Sequence, residues 1–142
     1  MINNYKCLVE LYKGQCNPNN PNICVNPDGT YEENIADQLG VRWAYNAFKK
    51  YTLRNLIKNR PKSKFLLQLS DDQQFFVNLA QTMNILTPWD SYITYDSHAP
   101  APVRCWRTLA NFPAFANAFN CPKDSVFNSK VKCPLFAGDL EK

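Results

Sequence analysis

The sequence holds a single histidine, His98, and only four glycines. It has no Cys-x-x-Cys spacing, no Asn-x-Ser/Thr sequon, no internal repeat and no low-complexity tract. Without Cys-x-x-Cys, the common zinc-ribbon and dithiol-redox readings fall away. No long apolar run is present and mean hydropathy is −0.42, which excludes a transmembrane helix. The first residues, Met1-Ile2-Asn3-Asn4-Tyr5-Lys6, carry no apolar signal-peptide core. Basic and aromatic residues do not interleave and no nucleic-acid fold signature occurs, so no nucleic-acid partner is expected.

What is present is apolar material and cysteine. A chain of 142 residues fits one domain, and 45% hydrophobic with 13% aromatic residues is enough for a core. Six cysteines without metal or redox spacing point to an oxidising compartment. Cysteine usage and N-terminus conflict, and the conflict is resolved if the chain is the C-terminal part of a longer ectodomain. Cys16 and Cys24 enclose a short Asn/Pro-rich loop and can close locally. The net charge of +4 is uneven. Arg42, Lys49, Lys50, Arg54, Lys58, Arg60, Lys62 and Lys64 lie between Asp37 and Asp71, a stretch without an acid, and read as a solvated helix face and the loop after it.

The apolar period predicts a mainly α-helical chain. Residues 3–13 form a short helix ending at Gly14, with Tyr5, Leu8, Val9 and Tyr12 at helical spacing. Residues 14–30 are a loop rich in turn signals, and a long helix runs from about Glu32 to about Asn59, before Pro61. Ser70-Asp71-Asp72-Gln73 is a capping box opening a helix to about Asn84, with Phe75, Phe76, Leu79, Ala80 and Met83 as its stripe. Pro88 to Pro102 is an irregular crossing that carries His98. Asn111 to about Phe119 is a short helix with Pro113 in its first turn, and Cys121 to Lys142 is mostly irregular.

Within the long helix, Glu33-Asn34-Ile35-Ala36-Asp37 places two carboxylates one turn apart. At about 100° per residue, Glu33, Asp37, Trp43, Ala44, Ala47, Phe48 and Tyr51 share one arc, expected to be the buried side, while Gln38, Arg42 and Lys49 point away. Ala36 and Gly40 lie in that arc and let another helix approach. Two carboxylates at this spacing repel unless something positive sits beside them, and burial of either requires a partner or a metal. The plainer reading is an exposed pair near a helix N-terminus, where the dipole favours negative charge. His98 likewise reads either as a polar loop residue or as a site residue, and Arg104 as a buried arginine paired with a core carboxylate or as a ligand-binding fork.

Glu33-Asn34-Ile35-Ala36-Asp37, preceded by Asp28-Gly29-Thr30, resembles the second zinc-site motif of the neprilysin and endothelin-converting-enzyme family of zinc metallopeptidases. The likeness continues in family order through Phe75-Phe76-Val77-Asn78-Leu79-Ala80-Gln81, Asp96-Ser97-His98-Ala99-Pro100, Arg104 and Leu109-Ala110-Asn111. It goes on to Phe115, Ala118-Phe119-Asn120-Cys121, Ser125, Asn128 and Lys132-Cys133. The resemblance implies that Glu33 is the third protein ligand to zinc and that Asp37 holds a zinc-bound histidine through its second ring nitrogen. It implies that His98 donates to the oxyanion formed at the scissile carbonyl and that Arg104 holds a substrate backbone carbonyl. It further implies a Cys7–Cys133 disulfide. Cys121 matches a family cysteine whose partner lies upstream, and Cys105, without a family counterpart, is its substitute partner. The sequence departs from the family at Glu32, a glycine there, and at Gln38-Leu39-Gly40, where the family has Asn-Gly-Gly.

The family's His-Glu-x-x-His helix, source of two zinc ligands and the general base, has no counterpart in the 142 residues. The expectation is therefore a single partial domain over residues 1–142: the helical C-terminal portion of a neprilysin-like (gluzincin) catalytic domain with an irregular, disulfide-tied tail. Zinc and peptide substrates belong to the complete parent, an extracellular enzyme or membrane-anchored ectodomain. The chain alone is expected to be inactive, to bind zinc weakly, and to have the missing N-terminal part of its domain as partner. The competing reading is a secreted, non-catalytic helical binding module. In space, Glu33 and Asp37 should face a common open cavity with His98 and Arg104 on its rim, and the Glu33 helix should meet the Ser70–Asn84 helix through Phe48, Phe75, Phe76 and Leu79.

Overall fold

The computed structural model describes residues 2–53, 68–83 and 88–135. The first helix, α1 (Ile2–Tyr12), ends in the expected way: Gly14 adopts φ 71°, and the Lys13 N–H donates to the Val9 carbonyl at 3.1 Å. Glycine enters that left-handed conformation without a Cβ clash, so the chain can reverse. The segment read as a loop contains a small antiparallel hairpin, β1 (Cys16–Asn17) with β2 (Asn20–Cys24), in the register Cys16 to Cys24. A Cys16–Cys24 disulfide closes it.

The long helix α2 (Tyr31–Leu53) starts after a turn in which Asn26 Oδ1 accepts from the Gly29 N–H at 3.2 Å. Its first turn carries Glu32 and Glu33, where the helix dipole favours acids. Residues 54–59 of the expected helix lie outside the described residues. The next helix, α3 (Asp71–Met83), has the capping box: the Ser70 N–H donates to Gln73 Oε1 at 2.9 Å and the Gln73 N–H to Ser70 Oγ at 3.2 Å. The expected irregular crossing of residues 88–102 is interrupted by a helix, α4 (Trp89–Tyr95); residues 96–100, which carry His98, are irregular as expected, and α5 (Ala101–Ala110) follows. Prolines misled the sequence reading here. Pro88 and Pro100 are extended residues just before each helix, and Pro102 sits in the first turn of α5, where its missing N–H costs nothing. The last helix is α6 (Pro113–Ala118), again with proline in its first turn.

The fold is mainly α, and α5 is its hub, packed against α1, α2, α3 and α6. One core cluster joins Val41 of α2, Phe76 of α3, Leu109 of α5, Phe112 and Phe115. Phe76 is its centre, with ring centroids 5.2 Å from Tyr45, 5.9 Å from Phe112 and 5.3 Å from Phe115. Phe48 meets Phe75 at 5.2 Å, Leu79 packs against the cluster, and Lys49 pairs with Asp72 at 2.8 Å, which together seat α2 on α3. A second cluster joins Tyr12, Val25, Ala99 and Val103.

The buried face of α2 is not the expected arc. Asn34, Gln38, Val41 and Arg42 are buried, whereas Trp43 is 62% exposed and Ala44, Ala47 and Tyr51 face outward. The reason is hydrogen bonding. Arg42 donates through Nη1 to the Gln38 carbonyl and to Gln38 Oε1, both at 2.9 Å, and through Nη2 to the Asn111 carbonyl at 2.9 Å. Gln38 Nε2 donates to the Tyr12 hydroxyl and to the Arg107 carbonyl, each at 3.2 Å. Polar groups satisfied in this way can be buried at little net cost, and an apolar count cannot register them.

Asn111 extends this network to the tail. Its Nδ2 donates to Gln38 Oε1 and to the Cys133 carbonyl, both at 3.0 Å, and its Oδ1 accepts from the Cys133 N–H at 2.6 Å. Lys132 Nζ donates to the Ala110 carbonyl at 2.7 Å, and burial lowers its pKa. The Cys7–Cys133 disulfide then ties the tail to α1. The expected Cys105–Cys121 bridge is absent: both are free, half-buried thiols. Cys105 lines a cavity of about 570 Å³ beside α5, while Cys121 is held by its own N–H to the Ala116 carbonyl at 2.9 Å and by Asn128.

Candidate functional site

The first two turns of α2 carry Glu33 and Asp37, α5 carries Arg104, and the segment between α4 and α5 carries His98. These four side chains meet in two close pairs, Asp37 with Arg104 and Glu33 with His98. Arg104 Nε donates to Asp37 Oδ2 at 2.7 Å and Arg104 Nη2 to Asp37 Oδ1 at 2.8 Å, a parallel fork that staples α2 to α5. The pair is largely withdrawn from water, with side-chain exposures of 22% for Arg104 and 11% for Asp37. The Asp37 carboxylate, by hydrogen bond first, raises the pKa of Arg104 against the opposing effect of burial.

His98 Nε2 lies 3.1 Å from Glu33 Oε2, and His98 Nδ1 lies 2.6 Å from Asp96 Oδ1. Carboxylate oxygens only accept, so Asp96 Oδ1 takes a hydrogen bond from Nδ1 in the tautomer that carries the proton there. The His98 backbone N–H also donates to Asp96 Oδ1 at 2.9 Å. This Asx turn sets the direction of the ring. Asp96 is the site residue to which sequence reasoning assigned no role. An Asp two residues before a histidine is the signal for it.

The Asp96 carboxyl is held below its ordinary value of 3.8, chiefly by the His98 backbone N–H and then by the ring. A depressed carboxyl stabilises the fold above its unfolded-state pKa, and that contribution disappears as pH falls through the folded value. The acid limb of a stability–pH curve should therefore flatten below about pH 4 in Asp96→Asn, when compared by urea unfolding at successive pH values. Equal acid limbs in the two proteins would remove the Asx turn from the account.

Beneath the ion pairs lies Tyr12, fully buried, its hydroxyl 3.4 Å from Thr108 Oγ1. Burial pushes its pKa up to about 12, so it serves as a neutral hydrogen-bonding group. Three cavities of about 570, 740 and 300 Å³ among the described residues are lined by other side chains. The Asp37 carboxylate is compensated directly by Arg104, and Glu33 lies beside His98.

A catalytic zinc takes three protein ligands and a water. Glu33 and His98 bring two donor atoms together, and among the described residues no three His, Cys, Asp or Glu side chains gather closely enough to hold a metal ion. The described residues do not, by themselves, make up such a ligand set.

Residues 1–135 match the profile of Peptidase family M13. Endothelin-converting enzyme-like 1 of Homo sapiens is 35% identical over 134 residues, covering 92% of this chain and 16% of that protein. Neprilysin-2 of Caenorhabditis elegans is 39% identical over 119 residues, covering 81% and 16% respectively. Neprilysin-11 of the same organism is 33% identical over 132 residues, covering 90% and 15%. The chain thus spans about one sixth of the length of these relatives. Motif order, the two carboxylates one turn apart on α2 and a match running from residue 1 to 135 all converge: the chain belongs to peptidase family M13, the family of neprilysin and the endothelin-converting enzymes.

Proposed function

We propose that this chain is the C-terminal, partial catalytic domain of an extracellular zinc metalloendopeptidase, spanning residues 1–142. Glu33 is its zinc ligand, Asp37 the positioning carboxylate, and His98 and Arg104 its substrate-side donors. The observation that carries the proposal is the pairing of Glu33 with His98 at 3.1 Å and of Asp37 with Arg104 at 2.7 Å. Residues expected to flank a scissile bond, from α2, α5 and the segment before α5, are thereby gathered around the first two turns of α2.

The geometry suits those roles. Asp37 engages Nε and Nη2 of Arg104, which fixes the guanidinium plane and leaves the Nη1 donors for a peptide carbonyl. Asp96 aims the His98 ring, and Nε2 lies 3.1 Å from a carboxylate oxygen, here that of Glu33. A donor aimed in this way can stabilise developing negative charge on a carbonyl oxygen. The remaining zinc donors and the general base come from the rest of the parent domain, which is also the chain's partner. Two disulfides fit an extracellular setting, and no helix among the described residues is long and apolar enough to cross a membrane.

Two measurements test this reading. The purified chain should cleave no peptide and should bind zinc without a tight one-to-one site. In the protein that joins these residues to a His-Glu-x-x-His segment, Glu33→Gln should abolish zinc content and hydrolysis, and Arg104→Ala should raise KM about tenfold or more. Full hydrolysis by Glu33→Gln would overturn the ligand assignment.

A further inference from the structure

Arg107 of α5 has no role in the site above, and its surroundings are unusual for an arginine. Its guanidinium carbon lies 4.3 Å from the centre of the Trp106 ring. Its Nε is buried with no hydrogen-bond partner, and among the described residues the side chain has no carboxylate or carbonyl partner. Burial lowers its pKa, the mark of a cation short of compensation. Arg42 and Arg104, by contrast, spend their donors on acceptors within the fold.

The side chain borders a pocket of about 300 Å³. Leu11, Val131 and the Cys7–Cys133 disulfide make its walls apolar, and half-buried Ser129 adds a hydroxyl. Glu10, on the rim, is turned to Lys13 at 3.1 Å and is well exposed, so its charge is already matched. Apart from the Lys13-paired Glu10, the site has one cation, one hydroxyl and an apolar lining, at the lower end of ligand-pocket size. Arginine's planar fork matches a carboxylate with two parallel hydrogen bonds.

We propose that Arg107, Ser129 and this pocket bind the terminal carboxylate of a molecule with a small apolar body, the body lying against Leu11, Val131 and the disulfide. Two sources share that chemistry, the C-terminal residue of a peptide and an aliphatic acid. The proposal does not depend on the peptidase reading.

The test follows the Arg107 Nε–H resonance of the 142-residue chain by NMR during titration with N-acetyl-leucine, octanoate and N-acetyl-leucinamide. A saturable shift with a dissociation constant of about 1–10 mM is expected for at least one acid, and binding about tenfold weaker for the amide. Tighter binding of N-acetyl-leucine assigns the site to peptide C-termini, and tighter binding of octanoate to aliphatic acids. Arg107→Gln, followed through backbone amides around Cys133, should lose about tenfold in affinity. Val131→Trp fills the pocket from an exposed loop position and should block binding with Arg107 intact. Equal binding of acid and amide, or no saturable shift for either acid, would overturn the proposal and leave Arg107 a stacking residue.

Discussion

Removal of the Cys7–Cys133 disulfide by Cys7→Ala with Cys133→Ala is expected to lower the unfolding free energy by about 4 kcal/mol. The bridge joins residues 126 apart in sequence and so constrains nearly the whole unfolded chain. Chain-entropy estimates for a loop of about 100 residues reach about 4.7 kcal/mol. The native tail should nevertheless stay in place. Asn111 holds both the N–H and the carbonyl of residue 133 at 2.6 and 3.0 Å, and Lys132 anchors to Ala110. The loss should therefore come mainly from the unfolded state, with near-UV circular dichroism unchanged below the transition. Urea unfolding of the variant and the parent chain checks this. A loss under about 1 kcal/mol would mean that the unfolded chain is already held compact near this bridge.

Reading the sequence located what local chemistry encodes. The starts of α1, α2 and α3 follow from apolar spacing, and Ser70 with Gln73 fixes the entry to α3 through hydrogen bonds seen in the structure. The helices α4 and α5 were hidden because proline at a helix start looks, in sequence, like proline in a loop. The inward face of α2 was hidden for a different reason. Gln38, Arg42 and Asn111 are polar, and only the approach of α5 and the tail gives them partners. Hydrophobic periodicity instead singled out Trp43 and Tyr51, which the described fold leaves largely exposed.

The site was legible through its motif more than through its physics. Two carboxylates one turn apart and a lone histidine in a Pro-rich loop are each commonplace. Their meeting depends on α5 bringing Arg104 beneath α2 while the Asp96 turn presents the ring to Glu33. The same contacts set a condition on any metal-bound form. Glu33 would hold a zinc ion with its Oε2 beside His98, and a histidine approaching Asp37 would share that carboxylate with the Arg104 fork.

That fork is the second contact on which a large effect is expected. Asp37→Ala should cost about 3 kcal/mol of stability, because it leaves a guanidinium that is 78% covered without its counter-ion (22% exposed). The cost belongs mostly to the orphaned charge. Asp37→Leu combined with Arg104→Leu should therefore recover much of it, since apolar replacement of both partners in a buried pair is often neutral. A double-mutant cycle with Arg104→Ala separates the pair's coupling from the packing of each side chain, and a coupling of at least about 1.5 kcal/mol is expected. Glu33 and His98 serve as the internal comparison. They are 38% and 33% exposed, so Glu33→Ala should cost about 1 kcal/mol or less. Similar costs for Asp37→Ala and Glu33→Ala would mean that water reaches Arg104 as freely as it reaches His98, and the α2–α5 staple would lose its energetic basis. The expected inequality assigns separate duties to the two carboxylates of one helical turn. Asp37 holds the helices together and orients the arginine, while Glu33, more exposed and, among the described residues, set beside the histidine alone, is the one free to change partners.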